Sequence, residues 1–155
     1  MKLTRSKLSL LLSLPIVLPG CWLQSAESKV ERSGSIVPRN RREQLIFEHF
    51  EALRNQQYDK AHQQIAWHAL SADPGPPLED FAEERSRNHS RLPTKISIGE
   101  EVKLNSPEDE PCDYTYTVYA AVSGKSTLFS GQVGLHLDPD RPNTCVIGYN
   151  SAFGN

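Results

Sequence analysis

Apolar residues along this chain follow three successive patterns, each predicting a different kind of structure. The first is a short greasy run of eleven residues, Leu8 to Leu18, behind the basic residues Lys2, Arg5 and Lys7. Such a run is too short to cross a bilayer as a helix, so it predicts a secretory leader over residues 1–20. Residues 21–39 are polar and mixed in charge, with no apolar period. They are expected to be a disordered tether, with a reach of roughly 25 Å for about eighteen residues. A folded domain is expected over residues 40–155.

The second pattern is helical. Asn40 followed by Glu43 makes a capping-box-like start. Ile46, Phe47, Phe50 and Leu53 then recur on one helical face. That helix is expected to end near Asn55 to Gln57, and a second to carry Tyr58, Ala61, Ile65 and Ala69 on one side. Asp73-Pro74-Gly75-Pro76-Pro77 is a firm break, because proline lacks a donor and keeps the backbone extended. A third helix is expected from Leu78 to about Asn88, with Leu78, Phe81 and Ala82 inward.

From Lys95 the period becomes two. Ile96, Ile98, Val102 and Leu104 share one face of a first strand, and Ser106 to Pro111 reads as a turn. Tyr114, Tyr116, Val118 and Ala120 alternate with polar positions in a second strand. Phe129, Val133, Leu135 and Leu137 do so in a third, and Cys145, Ile147 and Tyr149 in a fourth after a turn at Asp138 to Asn143. Centring the hairpin on Gly124-Lys125 pairs Tyr114 with Leu135, Tyr116 with Val133 and Ala120 with Phe129. All the apolar residues then lie on one face, which a slip of one residue would destroy. Helices followed by an antiparallel meander predict an α+β fold: N-terminal helices packed on a curved antiparallel sheet of about four strands.

Charge and cysteines add the setting. The whole chain has 17 basic against 19 acidic residues, and losing residues 1–20 leaves 14 against 19, near −5. That balance argues against nucleic acid as a partner. Leu18-Pro19-Gly20-Cys21 at the end of the leader resembles the lipobox of bacterial lipoproteins. The resemblance implies that Cys21 carries the lipids, that the chain is anchored facing the periplasm, and that Trp22 after it favours the outer membrane. Cys112 and Cys145 remain, an even pair in an oxidising compartment, and a bridge is expected. In the register above they flank Leu137. Next-but-one strands lie about 9.6 Å apart, whereas a disulfide needs roughly 4.4–6.8 Å between Cα atoms. The bridge therefore requires a strongly curled sheet, or one cysteine in a flanking loop.

The order of elements resembles the nuclear transport factor 2-like superfamily, the cone-shaped fold shared with ketosteroid isomerases. The resemblance covers residues 41 to about 150. It rests on Phe50-Glu51-Ala52-Leu53, on Tyr58-Asp59-Lys60-Ala61 opening a second helix, and on Leu78-Glu79-Asp80-Phe81 in the third. It implies a sheet whose concave face is covered by helices and can hold a pocket at its wide end, where enzymes of the fold keep an acid and a hydroxyl. On the core phase here the polar candidates are Glu100, Tyr114, Tyr116 and Tyr149. Glu100 interrupts the series between Ile98 and Val102, and burial would raise its pKa towards that of a general base. The alternative is a bulge at Gly99-Glu100 that turns Glu100 to solvent.

Other motifs reduce to turns. Ser123-Gly124-Lys125-Ser126-Thr127 lacks the earlier glycine and following helix of a phosphate loop. Asp138-Pro139-Asp140-Arg141-Pro142-Asn143 has misspaced oxygens for calcium. His49, His62, His68, His89 and His136 show no paired ligand spacing and read as solvated or partly buried, so neither metal nor cofactor is expected. No Gly-x-Ser-x-Gly occurs. The expected function is a non-catalytic envelope lipoprotein whose domain binds a protein partner or a small apolar ligand. An isomerase-like enzyme is the first alternative. The second is a structural accessory of an envelope complex, using an outer sheet face with Thr115, Thr117 and Tyr119.

Overall fold

A computed structural model describes residues 25–67, 75–104, 110–150 and 152. The stretch expected as a leader, Cys21, Trp22, His68, Ala69, Asp73-Pro74 and most of the Ser106 turn lie outside them, as does the side chain of Tyr149. Among the described residues the elements in order are α1 (Ala26–Ser33), α2 (Arg41–Arg54), α3 (Tyr58–Gln63), α4 (Leu78–Arg87) and a 3-10 turn at His89–Arg91. Then come β1 (Pro93–Lys103), β2 (Tyr114–Val122), β3 (Phe129–Leu137) and β4 (Cys145–Asn150), an antiparallel meander ordered β1-β2-β3-β4. The fold is α+β, with the helices N-terminal to an open sheet.

The inner face of the sheet carries the main core. Ile96, Ile98, Tyr116, Val118, Ala120, Val133, Leu135 and Ile147 bury against Ile46, Phe50 and Leu53 of α2, Ala61 of α3 and Phe81 of α4. The expected register of the hairpin is the observed one, with Tyr114 opposite Leu135, Tyr116 opposite Val133 and Ala120 opposite Phe129. The tight turn lies one residue earlier than expected: Lys125 N–H donates to Val122 O at 3.1 Å, around Gly124 at φ +72°. The Asn40 side chain accepts from Glu43 N–H at 2.9 Å and starts α2 as anticipated. The Glu43 carboxylate reaches back to Arg39 N–H, at 2.7 Å, rather than to its own cap residue.

Cys112 and Cys145 are bridged, with Cα atoms 5.2 Å apart. Cys145 pairs with Leu137 in the ladder, while Cys112 stands just before β2, in the flanking loop. That position brings it within reach although β3 runs between the two strands.

Four expectations are corrected. The stretch expected as a disordered tether contains α1, which packs Ala26 and Val30 with Ala121 and Leu128 in a small second core on the outer face of the sheet. Ordered structure thus begins by residue 25, not residue 40. Only every fourth residue of α1 is apolar, a stripe too narrow to register as a helical period. The second helix stops at Gln63, and Ile65 instead bridges to Ile147 alongside β4. Leu78 is exposed, because α4 turns only Phe81 fully inward. Val102 is exposed as well: a bulge sets Gly99 and Glu100 together opposite Thr117, so every later residue of β1 changes face.

Candidate functional site

The bulge decides which carboxylate reaches the inner face. Ile98 pairs with Val118 and Glu101 pairs with Tyr116, so Glu101 takes the inward phase that even spacing assigns to Glu100. Glu100 sits in the bulge, off the inner phase, and leaves the candidate set; Glu101 is itself exposed but is bonded to Tyr116 and Arg42. Tyr116 is completely buried, and its hydroxyl donates to Glu101 while accepting from Arg42 Nε at 2.8 Å. Arg42 Nη2 lies 3.2 Å from Glu101 Oε1, Nη1 donates to Pro111 O at 3.3 Å, and the guanidinium stacks 3.9 Å above the Tyr114 ring centroid. Asn40 Nδ2 adds a contact to Glu101 at 3.4 Å.

This is a closed polar cluster. Arg42 uses three of its nitrogens and one face of its guanidinium plane, and the hydroxyl uses its proton and a lone pair. Burial works against the Glu101 charge, but the Tyr116 hydrogen bond and Arg42 outweigh it and hold the carboxyl below its ordinary range. Burial, followed by the bond to Glu101, pushes the Tyr116 hydroxyl well above the ordinary tyrosine value. A carboxylate made less basic beside a phenol made less acidic is the reverse of what general acid–base catalysis needs. Sequence spacing placed Tyr114 and Tyr116 on this face and left open the bulge that turns Glu100 to solvent; it missed Arg42 and Glu101.

The opening in the inner face lies at the opposite end of β2. A cleft of about 540 Å³ forms between the end of α4, the 3-10 turn and the ends of β2 and β3. Leu92, Pro93, Ala120, Val122, Phe129 and Ala152 supply its apolar lining. Glu84, Arg85, Arg91 and Lys125 supply its charges, three cations against one carboxylate. Phe129 shares the inner phase with Ala120 and was expected in the core. It is 45% exposed, and lines the cleft together with Ala120 and Val122. Apolar walls with a few charged groups at the mouth suit a small amphipathic ligand.

The remaining motifs have structural roles. Asp138 accepts backbone N–H groups from Asp140 at 2.9 Å and Arg141 at 3.2 Å, and pairs with Arg141 Nε at 2.5 Å. Those bonds occupy its carboxylate in closing a turn. Among the described residues, no group of three or more His, Cys, Asp or Glu side chains is arranged to hold a metal ion. His136 pairs with Asp113 at 3.1 Å, and the half-buried His62 ring packs against Trp67 and Phe81.

His49 is the exception to the solvated reading. It is buried, with Nδ1 3.3 Å from Gln64 Oε1. Burial, reinforced by the Arg85 charge and opposed by its hydrogen bonds, pushes its pKa down to about 4. The signal was its spacing, three residues after Ile46 on the stripe of α2.

No protein-family model matches the chain, no curated protein matches it, and no solved structure matches it.

Proposed function

We propose that this chain is a bacterial envelope lipoprotein, anchored through Cys21, whose α+β domain is a non-catalytic binding module for a small amphipathic ligand. The observation that carries the reading is the 540 Å³ cleft with its apolar lining and cationic mouth. The helices-then-meander arrangement, with an opening at one end of the inner face, supports the resemblance to the nuclear transport factor 2-like fold. The closed Arg42–Glu101–Tyr116 cluster speaks against the isomerase-like alternative. Its acid and hydroxyl are tuned away from proton transfer and lie at the other end of β2 from the cleft.

Binding of an apolar fluorescent reporter such as 1-N-phenylnaphthylamine tests this directly. Val122 is half-buried and lines the cleft, so Val122→Trp fills it. Reporter affinity should weaken by about tenfold or more, roughly 1.4 kcal/mol, while the unfolding transition stays cooperative. Unchanged affinity in a folded variant would remove the cleft from the account.

A second reading, docking of a protein partner, rests on a different surface. Val102 near the end of β1 is 49% exposed, and Ile36 and Val37 in the segment after α1 are 43% and 64% exposed. The segment that follows α1 runs beside that end of the strand, with Ser35 bridged to Ile98 and Arg39 donating to Gly99 O at 3.0 Å. These apolar side chains, rather than Thr115, Thr117 and Tyr119, are the surface an accessory role would use.

A further inference from the structure

The direction of α1 decides which end of the domain lies nearest the leader. Its first turn sits at the start of β1, where Thr94 Oγ1 is 3.1 Å from both Glu27 Oε1 and the Ala121 carbonyl. One turn later Ser97 Oγ donates to Val30 O at 2.7 Å, and beyond the helix Ser35 exchanges two backbone hydrogen bonds of 2.8 Å with Ile98. The helix therefore runs away from the cleft, and Ser25 emerges beside the cleft end of the sheet. Four peptide units separate Cys21 from Ser25 and span at most about 14 Å. This is little more than half the reach expected of a tether over residues 21–39.

The same end carries an unusual set of exposed groups. Arg91 and Lys125 are exposed at the cleft mouth, and Phe129 at the start of β3 shows nearly half its surface. With Arg85 they stand against two carboxylates, Glu84 in the lining and Glu27 on α1. Local charge is thus positive on a chain near −5 once residues 1–20 are removed, 14 basic against 19 acidic residues.

We propose that this end of the domain is a membrane-contact face. Arg91 and Lys125 meet anionic phospholipid headgroups, Phe129 enters the interfacial layer, and the mouth of the cleft opens towards the bilayer. The proposal rests on lipidation of Cys21 but not on what the cleft holds. A short tether makes a weak contact sufficient, because it keeps the local concentration of lipid high. The opposite end cannot share the contact. Lys95, next to Thr94, and Val102 pair with Ala121 and Thr115, six positions apart on β2, about 20 Å at the usual rise of a strand.

The test uses the lipidated chain in vesicles of phosphatidylethanolamine and phosphatidylglycerol, with a photoreactive benzoylphenylalanine replacing either Phe129 or Val102. Illumination should yield a phospholipid adduct at position 129 and essentially none at 102. Lys125→Ala should lower the adduct about five-fold, which corresponds to ~1 kcal/mol for one basic residue at an anionic surface. Phosphatidylcholine in place of phosphatidylglycerol should lower it further. Equal adducts at the two positions, a protein adduct at 129, or indifference to the anionic lipid would each overturn the proposal. So would a Cys21 without lipid, read by mass on the same sample. Failure of the cleft to bind the reporter would leave these yields untouched, so the two readings fail separately.

Discussion

Replacing His49 with glutamine should flatten the response of this fold to acid. An imidazole whose folded pKa lies below its unfolded value is protonated more readily in the unfolded chain, so falling pH favours unfolding. The folded value is about 4 against an ordinary 6.5. The penalty therefore begins near pH 6.5 and levels off below about 4. Linkage gives roughly 2 kcal/mol lost by pH 5 and about 3 kcal/mol by pH 4, relative to pH 7. The whole cost falls on the α2–α3 contact, where His49 lies between Gln64 and the Ala61 backbone, with Arg85 adding a like charge. Urea unfolding at a series of pH values, followed by far-ultraviolet circular dichroism, measures this for the wild type and His49→Gln. Carboxylates titrate over the same range in both chains, so the difference between the two curves isolates the imidazole. The gap should close by about 3 kcal/mol on going from pH 7 to pH 4. Parallel curves, or an NMR titration of His49 with its midpoint above about 6, would refute the reasoning.

Two further outcomes follow from the fold. Reduction of the Cys112–Cys145 bridge opens a loop of 33 residues and should cost about 3–4 kcal/mol by loop-closure entropy, read as a lower urea midpoint in the presence of dithiothreitol. Gly34→Ala should loosen α1 from the outer face, because the added Cβ would lie 2.4 Å from Ile98 O and 2.9 Å from Gly99 N, both backbone atoms that cannot step aside. A loss of roughly 1–3 kcal/mol, with faster amide exchange in α1, is the expected reading.

Strands β2 and β3 were legible residue by residue, because alternation and turn position constrain each other: only one register puts Tyr116, Val118, Val133 and Leu135 on one side. The start of α2 was legible from Asn40 and Glu43, since the cap bonds are local. Pairing of Cys112 with Cys145 was expected from their even count under the expectation of an exported chain, and the loop position of Cys112 removed the geometric objection. In the first two cases the deciding interaction lies within one element or between neighbours in sequence order, whereas the bridge joins β4 to the loop before β2.

Long-range packing decided the rest. The bulge at Gly99-Glu100 was legible only as an alternative, because a glycine inside a strand permits a bulge without requiring one. It exchanged Glu100 for Glu101 at the inner face and sent Val102 outward, and the pairing of Glu101 with Tyr116 decides it. α1 offers too narrow an apolar stripe to stand as a helix alone. It is held by Ala121, Leu128, Ser97 and Thr94, residues some seventy to a hundred positions away. The cleft depends on how α4, the 3-10 turn and the ends of β2 and β3 come together, and Phe129 lies exposed in it although its period assigns it to the core. Local pattern thus determined the elements and most of their inward faces. Which faces were covered, and where the molecule opens, was settled by contacts that form only once distant segments are side by side.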